Sequence, residues 1–412
     1  MRPSFDLADV LRAHFPAYQA RYPMSTAQHK AVRAIVNCRT SALGAHRMEV
    51  CTQCGHVEIS YNSCRNRHCP KCQWSAQRKW MRQRIAELLP VTYYHLVFTL
   101  PEGLNPVVRS NETKLYNLLF QSAWQTLDQL ARQDKWLGAQ PGMITVLHTW
   151  GQNLSFHPHL HCIVPGGGLA DDGESWVSSR PGHLLPVRVL SRLYRGKFLH
   201  RLRDLYRAGE LAFHGQAESL ESEKAFQKLL RGLYRSEWVV FAKRPFGGPQ
   251  QVVQYLGRYT HRVAISNRRI QSIEDGKVSF SYKDYRQEGQ KKIMTLDAVE
   301  FIRRFLQHVL PPGFHKIRYY GILATRNRKT KLAGLQRSLG YCLANQSAVA
   351  TGHPHGEAAD DAEPRVCPDC GAPALRYYRP FAAWAPTGPG VSRAPPRLLK
   401  PELIPETEPF FS

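Results

Sequence analysis

Acidic residues are scarce in this chain of 412 residues: 32 Asp and Glu stand against 56 Lys and Arg, a formal net charge of +24. The excess is spread along the chain rather than gathered in one Lys/Arg run, which points to a polyanionic partner, nucleic acid above all. No run of 18 or more apolar residues occurs, so no membrane-spanning helix is predicted. The opening residues hold no apolar signal core with a small-residue cleavage site, and a cytoplasmic protein is expected. There is no G-x4-G-K-[ST] phosphate loop and no internal repeat, which argues against a helicase block and a solenoid. Cysteines are few, ten in all, yet six sit in Cys-x-x-Cys pairs. That favours thiolate metal sites in a reducing compartment over disulfides.

What is present suffices for a sizeable core, at 43% hydrophobic and 10% aromatic. Helical spacing of Leu7, Val10, Leu11, Phe15, Val32, Ile35 and Val36 predicts helices within residues 1–45. A cysteine-rich module follows at 46–75, then a basic helix over Gln73–Leu89 that Pro90 stops. Strands are predicted at Thr92–Leu100, 143–150 and 157–164, the last two forming an antiparallel hairpin across Gly151–Ser155. Helices are expected at 111–134, 190–208, 219–234, 250–261 and 297–309. Further strands are expected at 238–242, 263–272, 277–284, 290–296 and 316–324. The region 325–341 is basic and helical, 345–366 has a linker's composition, and the last 34 residues carry eight prolines.

Three constellations carry chemistry. In the first, Cys51-x2-Cys54 is followed after 14 residues by Cys69-x2-Cys72, two thiolate pairs that predict one closed tetrahedral zinc shell. Cys64 and His68 lie between the pairs and keep a mixed Cys/His ligand set open. Arg65, Arg67, Lys71, Arg78, Lys79, Arg82 and Arg84 surround the module and suit phosphate contact. Cys367-x2-Cys370 is a half site for a second Zn²⁺. Its completion would need His353 and His355, Cys342, or a ligand of the first module.

The second constellation is His157-Pro158-His159-Leu160-His161. Side chains alternate along a strand, so His159 and His161 project together while Leu160 and Cys162 face a core. Two imidazoles in an otherwise apolar strand form a metal platform. The same octet also fits the pattern of histidine-triad nucleotide hydrolases. The third constellation is Tyr255 and Tyr259, four apart on the predicted helix, with Arg258, His261 and Arg262 beside them. A phenol has a pKa near 10 and needs a cationic setting to become a nucleophile.

Together these features resemble the two-tyrosine HUH rolling-circle transposases of insertion-sequence family ninety-one, which carry an N-terminal transposase zinc-binding domain. The resemblance spans about residues 25–340, through CTQCGHVEISYNSCRNRHCPKCQ, HLVFTLP, LHTWGQNLSFHPHLHCIVPGGG and YLGRYTHRVAISNRRI. It implies an α+β fold in which a central antiparallel sheet is flanked by helices and preceded by a small zinc-binding domain. It implies Mg²⁺ or Mn²⁺ on His159 and His161, with Tyr259 and Tyr255 attacking single-stranded DNA to give a 5′-phosphotyrosine and a free 3′-hydroxyl. For the third metal ligand no acid lies in 143–156, and Gln152, His148 and His261 rank equally.

The boundaries expected are 1–90 for the N-terminal helical and zinc-binding part, 91–341 for catalysis, and 342–412 for the linker, Cys pair and tail. The charge divides accordingly. Residues 65–84 are expected to hold DNA ends, and Arg258, Arg262, Arg268 and Arg269 to neutralise phosphate near the tyrosines, with Arg262 part of the catalytic set. Arg326, Arg328, Lys329 and Lys331 are expected to track the backbone. Homo-oligomerisation stays open.

Overall fold

In a computed structural model, residues 5–243, 257, 264–284, 287–340, 366–373 and 375–378 are described. The chain begins with α1 (Leu7–Arg21) and α2 (Thr26–Asn37). Each starts in a capping box, Asp6 with Asp9 and Ser25 with Gln28, which satisfies orphan N–H groups at both helix starts. A hairpin of β1 (Ala45–Cys51) and β2 (Val57–Tyr61) leads to the basic helix α3 (Gln73–Ile85).

The middle of the chain supplies β3 (Tyr93–Thr99), α4 (Asn105–Ser110), α5 (Glu112–Ala131), β4 (Gly142–Trp150) and β5 (Phe156–Pro165). After these come the short strands β6 (Gly167–Leu169) and β7 (Trp176–Ser178), helices α6 (Val187–Arg207) and α7 (Glu223–Arg235), and β8 (Val240–Lys243). The rest comprises β9 (Ile270–Glu274), β10 (Lys277–Asp284), β11 (Gln290–Asp297), α8 (Ala298–Leu306), β12 (Ile317–Gly321), α9 (Ala333–Ser338) and β13 (Leu375–Tyr378).

The central sheet has the order β12-β4-β5-β3-β8, and each neighbouring pair is antiparallel. The α+β class and the antiparallel sheet flanked by helices are thus observed. Alternation assigns its two faces different tasks. Tyr94, Leu96, Phe98, Met143, Leu147, Leu160, Cys162 and Val164 build the larger core with α4, α5, α6 and α7. The opposite face carries Tyr93, Ile144, Val146 and Ile163. These pack with Trp80 and the partly buried Met81 of α3, and with Leu335 of α9.

A further core joins distant parts of the sequence. Leu7, Val10 and Leu11 of α1 and Val32 and Ile35 of α2 pack with Val278 and Phe280 of β10 and with Phe301, Ile302 and Phe305 of α8. Here β9, β10 and β11 form a three-stranded sheet of their own rather than extending the central one. Cys38, Cys69 and Cys72 belong to the same buried cluster.

Candidate active site

The β4–β5 register sets His148 opposite His159 and Val146 opposite His161. All three histidines therefore share the face that carries Ile144 and Ile163, and one ring nitrogen from each lies within 4.8 Å of the others. Nδ1 of His159 donates to the carbonyl oxygen of His157 at 2.7 Å, which makes Nε2 the basic nitrogen. Nδ1 of His161 lies 2.9 Å from Nε2 of His95 on β3. The two Nε2 atoms of His159 and His161 are 3.1 Å apart. Two lone pairs at that distance repel unless a proton or a cation lies between them. Two nitrogens bound at about 2.1 Å to one ion and near a right angle would be separated by about 3 Å, so the donor set fits a divalent cation.

Burial, and then the neighbouring His157, push the His159 pKa down to about 4, which keeps its imidazole neutral at pH 7 as a ligand must be. The buried His148 ring stacks on Trp150 at 4.4 Å between centroids and meets the His161 ring edge-on at 4.7 Å. Of the three residues ranked equally as third donor, His148 lies in the cluster. Gln152 lies beyond the end of β4, in the turn, where its backbone carbonyl accepts from Arg269. His261 lies outside the described residues.

Sequence reading missed His95. It is buried in an apolar strand, and its parity with Tyr93 on the histidine face was the available signal. Tyr255, Arg258, Tyr259 and Arg262 lie outside the described residues. Gly257, between the tyrosines, is described: it is helical and buried. A methyl group added there would overlap the thioether of Met81, so Gly257 itself lies directly on α3, on the histidine side of the sheet.

Several of the basic residues expected at DNA hold contacts within the chain. Arg67 donates to the carbonyls of Phe314, Leu310 and Pro311, the last at 2.7 Å, because its guanidinium satisfies a turn that follows α8. Lys71 pairs with Asp6 at 2.7 Å. Arg269 donates to Ser281 O at 2.7 Å and to Gln152 O, pinning the β4–β5 turn to β10. Arg84 is buried against Glu87, Arg328 also pairs with Glu87, and Lys331 donates to Gln140. Arg65, Lys79, Arg82, Arg268, Arg326 and Lys329 are exposed. Arg78 lies over the exposed Trp74 ring at 4.6 Å.

The cysteines also regroup. Cys51 and Cys54 do not meet Cys69 and Cys72; instead Cys38, Cys64, Cys69 and Cys72 form one set, with sulfurs within 4.8 Å of one another. The reason is the hairpin. Cys51 ends a seven-residue strand, on the order of 20 Å from the hairpin base. Cys38 and Cys64 flank that base, where Arg39 N donates to Asn62 O. Sulfurs of Cys64 and Cys72 stand 3.7 Å apart, close to the edge of a tetrahedron built on zinc–sulfur bonds of about 2.3 Å. Thiol hydrogen bonds from Cys64, Cys69 and Cys72 draw the Cys38 pKa down toward thiolate. His68 is outside this set. Burial and the charges of Lys316 and Arg67 push its pKa to about 3.

Comparison with known proteins adds identity to this geometry. Residues 142–331 match the family described as “Putative transposase”, and residues 10–100 match “Transposase zinc-binding domain”. Over 339 residues the chain is 52% identical to “Putative transposase y4qJ” of Sinorhizobium fredii, covering 82% of this chain and 85% of that one. This chain belongs to the transposases of insertion-sequence family ninety-one. The transposase is also 28% identical over 347 residues to the transposase for insertion sequence element IS801 of Pseudomonas savastanoi pv. phaseolicola, covering 83% of this chain and 81% of that one. No solved structure matches it. Cys38, Cys51, Cys54, Cys64, Cys69 and Cys72 fall inside the zinc-binding match; Cys367 and Cys370 fall outside both matches. No helix among the described residues is long and apolar enough to cross a membrane.

Proposed function

We propose that this transposase nicks and rejoins single-stranded DNA of its insertion sequence in rolling-circle transposition, through a 5′-phosphotyrosine. The observation that carries this reading is the convergence of His148, His159 and His161 on the sheet face where Gly257, between Tyr255 and Tyr259, packs on α3. These imidazoles would hold Mg²⁺ or Mn²⁺, which when bound polarises a phosphodiester oxygen.

The protein's own work is positioning and charge neutralisation. The hydroxyl of Tyr259 gives up its proton and its oxygen forms a bond to phosphorus. The bond from phosphorus to the 3′ oxygen breaks, and that oxygen takes a proton to become a free 3′-hydroxyl. The phosphotyrosine conserves the ester bond energy, so rejoining needs no nucleotide hydrolysis. Tyr255 would cut a second strand while the first is held, and Arg258 and Arg262 would neutralise phosphate at the reacting centre. The exposed face of α3, with Trp74, Arg78, Lys79 and Arg82, offers cations and a stacking ring for single-stranded DNA.

The test is incubation of the full-length protein with labelled single-stranded oligonucleotides from its own element ends, plus Mg²⁺ or Mn²⁺. A denaturation-resistant DNA adduct is expected. The double variant Tyr255→Phe, Tyr259→Phe should bind DNA but form none; an adduct on that variant would overturn the assignment.

A further inference from the structure

The cysteine pair at 367 and 370 has a counterpart at the tip of the β1–β2 hairpin. Cys51-Thr52-Gln53-Cys54-Gly55-His56 and Cys367-Pro368-Asp369-Cys370-Gly371-Ala372 have the same length and the same turn. In the first, Gly55 N donates to Cys51 O at 2.9 Å and Cys51 N to His56 O at 2.8 Å. In the second, Gly371 N donates to Cys367 O at 2.9 Å and Cys367 N to Ala372 O at 2.8 Å. Each turn closes on a glycine in the left-handed region, Gly55 at φ 77° and Gly371 at φ 71°. Two copies of one knuckle therefore face each other.

Their sulfurs interleave. Cys51 Sγ is 3.6 Å from Cys370 Sγ, and Cys54 Sγ is 3.6 Å from Cys367 Sγ. All four sulfurs lie within 4.8 Å of one another. These distances are too long for a disulfide, whose sulfurs are about 2.05 Å apart, and match the edge of a tetrathiolate tetrahedron. A hydrogen bond crosses between the turns, with His56 Nδ1 at 2.7 Å from Asp369 Oδ2.

Apart from these side chains, the segment is fastened by β13. Leu375–Tyr378 pair antiparallel with Cys51–Met48, so the hairpin becomes a three-stranded sheet in the order β13-β1-β2. Four residues of ladder on a hairpin are too little to hold a segment some 310 positions away in sequence, because closing that loop costs chain entropy. Something stronger must close it.

We propose that Cys51, Cys54, Cys367 and Cys370 bind a second zinc ion, separate from the one suited to Cys38, Cys64, Cys69 and Cys72, and that this ion fastens the C-terminal segment to the N-terminal hairpin. The site has four protein ligands and no open position, so its role is to tether rather than to react. It spans the two ends of the chain and includes residues outside the zinc-binding match. Loss of this ion releases residues 366–378 and leaves the central sheet and the first cysteine cluster intact.

The measurement is metal content of the purified full-length protein by mass spectrometry, paired with amide hydrogen exchange. The wild type should hold about two zinc ions per chain, and Cys367→Ser with Cys370→Ser about one. Exchange in 366–378 and in 45–61 should rise in that variant while β4 and β5 stay protected. A wild type with one zinc, a variant that keeps two, or iron in place of the second zinc would overturn the proposal. Should the variant fail to fold, graded chelation of the wild type decides. Release of the less tightly held zinc must unmask 366–378 with the sheet still protected, and unmasking that leaves both ions bound sinks the idea.

Discussion

Nε2 of His95 lies 2.9 Å from Nδ1 of His161 inside the central sheet, so the outer nitrogen of one candidate ligand is held by a residue on the neighbouring strand. When His161 binds a cation through Nε2, its Nδ1–H donates to His95. That contact fixes the tautomer and the ring orientation together. His95→Ala should weaken divalent-ion affinity about 10- to 100-fold and reduce DNA nicking, with DNA binding unchanged. His95→Gln, whose amide oxygen can accept the same hydrogen, should recover part of the loss. Isothermal titration with Mn²⁺ reads the effect; equal affinity in wild type and His95→Ala would show a packing role only.

His148 and Gln152 are equal candidates as third donor in the sequence, and the register sets His148 directly opposite His159. His148→Ala should abolish divalent-dependent nicking by more than the ~100-fold ceiling expected of an outer-layer residue. Gln152→Ala should leave nicking within a few-fold of wild type. Matching losses from both variants in the same assay would mean the turn, not the histidine, matters.

The basic residues near the first cysteine cluster divide by what they touch. Arg67 satisfies three carbonyls, so Arg67→Ala should cost stability of roughly 2 kcal/mol and leave the DNA affinity of the folded protein unchanged. Trp74 is exposed beneath Arg78, and Trp74→Ala should weaken single-strand binding by about 1–3 kcal/mol with little change in melting temperature. Denaturant melts and fluorescence anisotropy on the same two variants give a crossed pattern. An uncrossed pattern, with Arg67→Ala impairing affinity and not stability, would contradict it.

His308 is buried, its Nε2 donating to Leu154 O at 3.2 Å and its Nδ1 accepting from the Thr149 hydroxyl at 3.1 Å. Burial holds its pKa down at about 3. The unfolded chain, with an ordinary histidine pKa of about 6.5, binds the proton first. Stability from the neutral ring is therefore complete above about pH 6.5 and declines as pH falls toward 3, by up to about 1.4 kcal/mol per unit. The stability advantage of wild type over His308→Gln should shrink between pH 7.5 and 5.5, with zinc and carboxylate effects common to both. A constant difference would show that the ring already titrates alike in the folded and unfolded states.

Cys38 carried no motif, since it has no partner at x-x spacing, yet it completes the cluster with Cys64, Cys69 and Cys72. Cys38→Ser should lower zinc content by about one ion and loosen the core shared by α1, α2 and α8, where Cys38, Cys69 and Cys72 are buried. Zinc analysis together with hydrogen exchange in 7–37 tests this. Unchanged zinc would exclude Cys38 as a ligand.

The sequence by itself determined what depends on neighbours in the chain. Alternation in the segment from His157 to Val164 put His159 and His161 on one face. The polar link Gly151–Ser155 made β4 and β5 a hairpin, and the excess of Lys and Arg pointed to a polyanion. Tertiary structure decided what depends on residues far apart. Hairpin register brought His148 to the His159–His161 pair, a crossing strand brought His95 to His161, and a hairpin arm of about 20 Å divided the cysteines into two sets. It also set the guanidinium groups of Arg67 and Arg269 on backbone carbonyls far away in sequence. Local patterns fix which way a side chain points along its own element, but the distance between elements is set by sheet order and packing, which no single stretch of sequence contains.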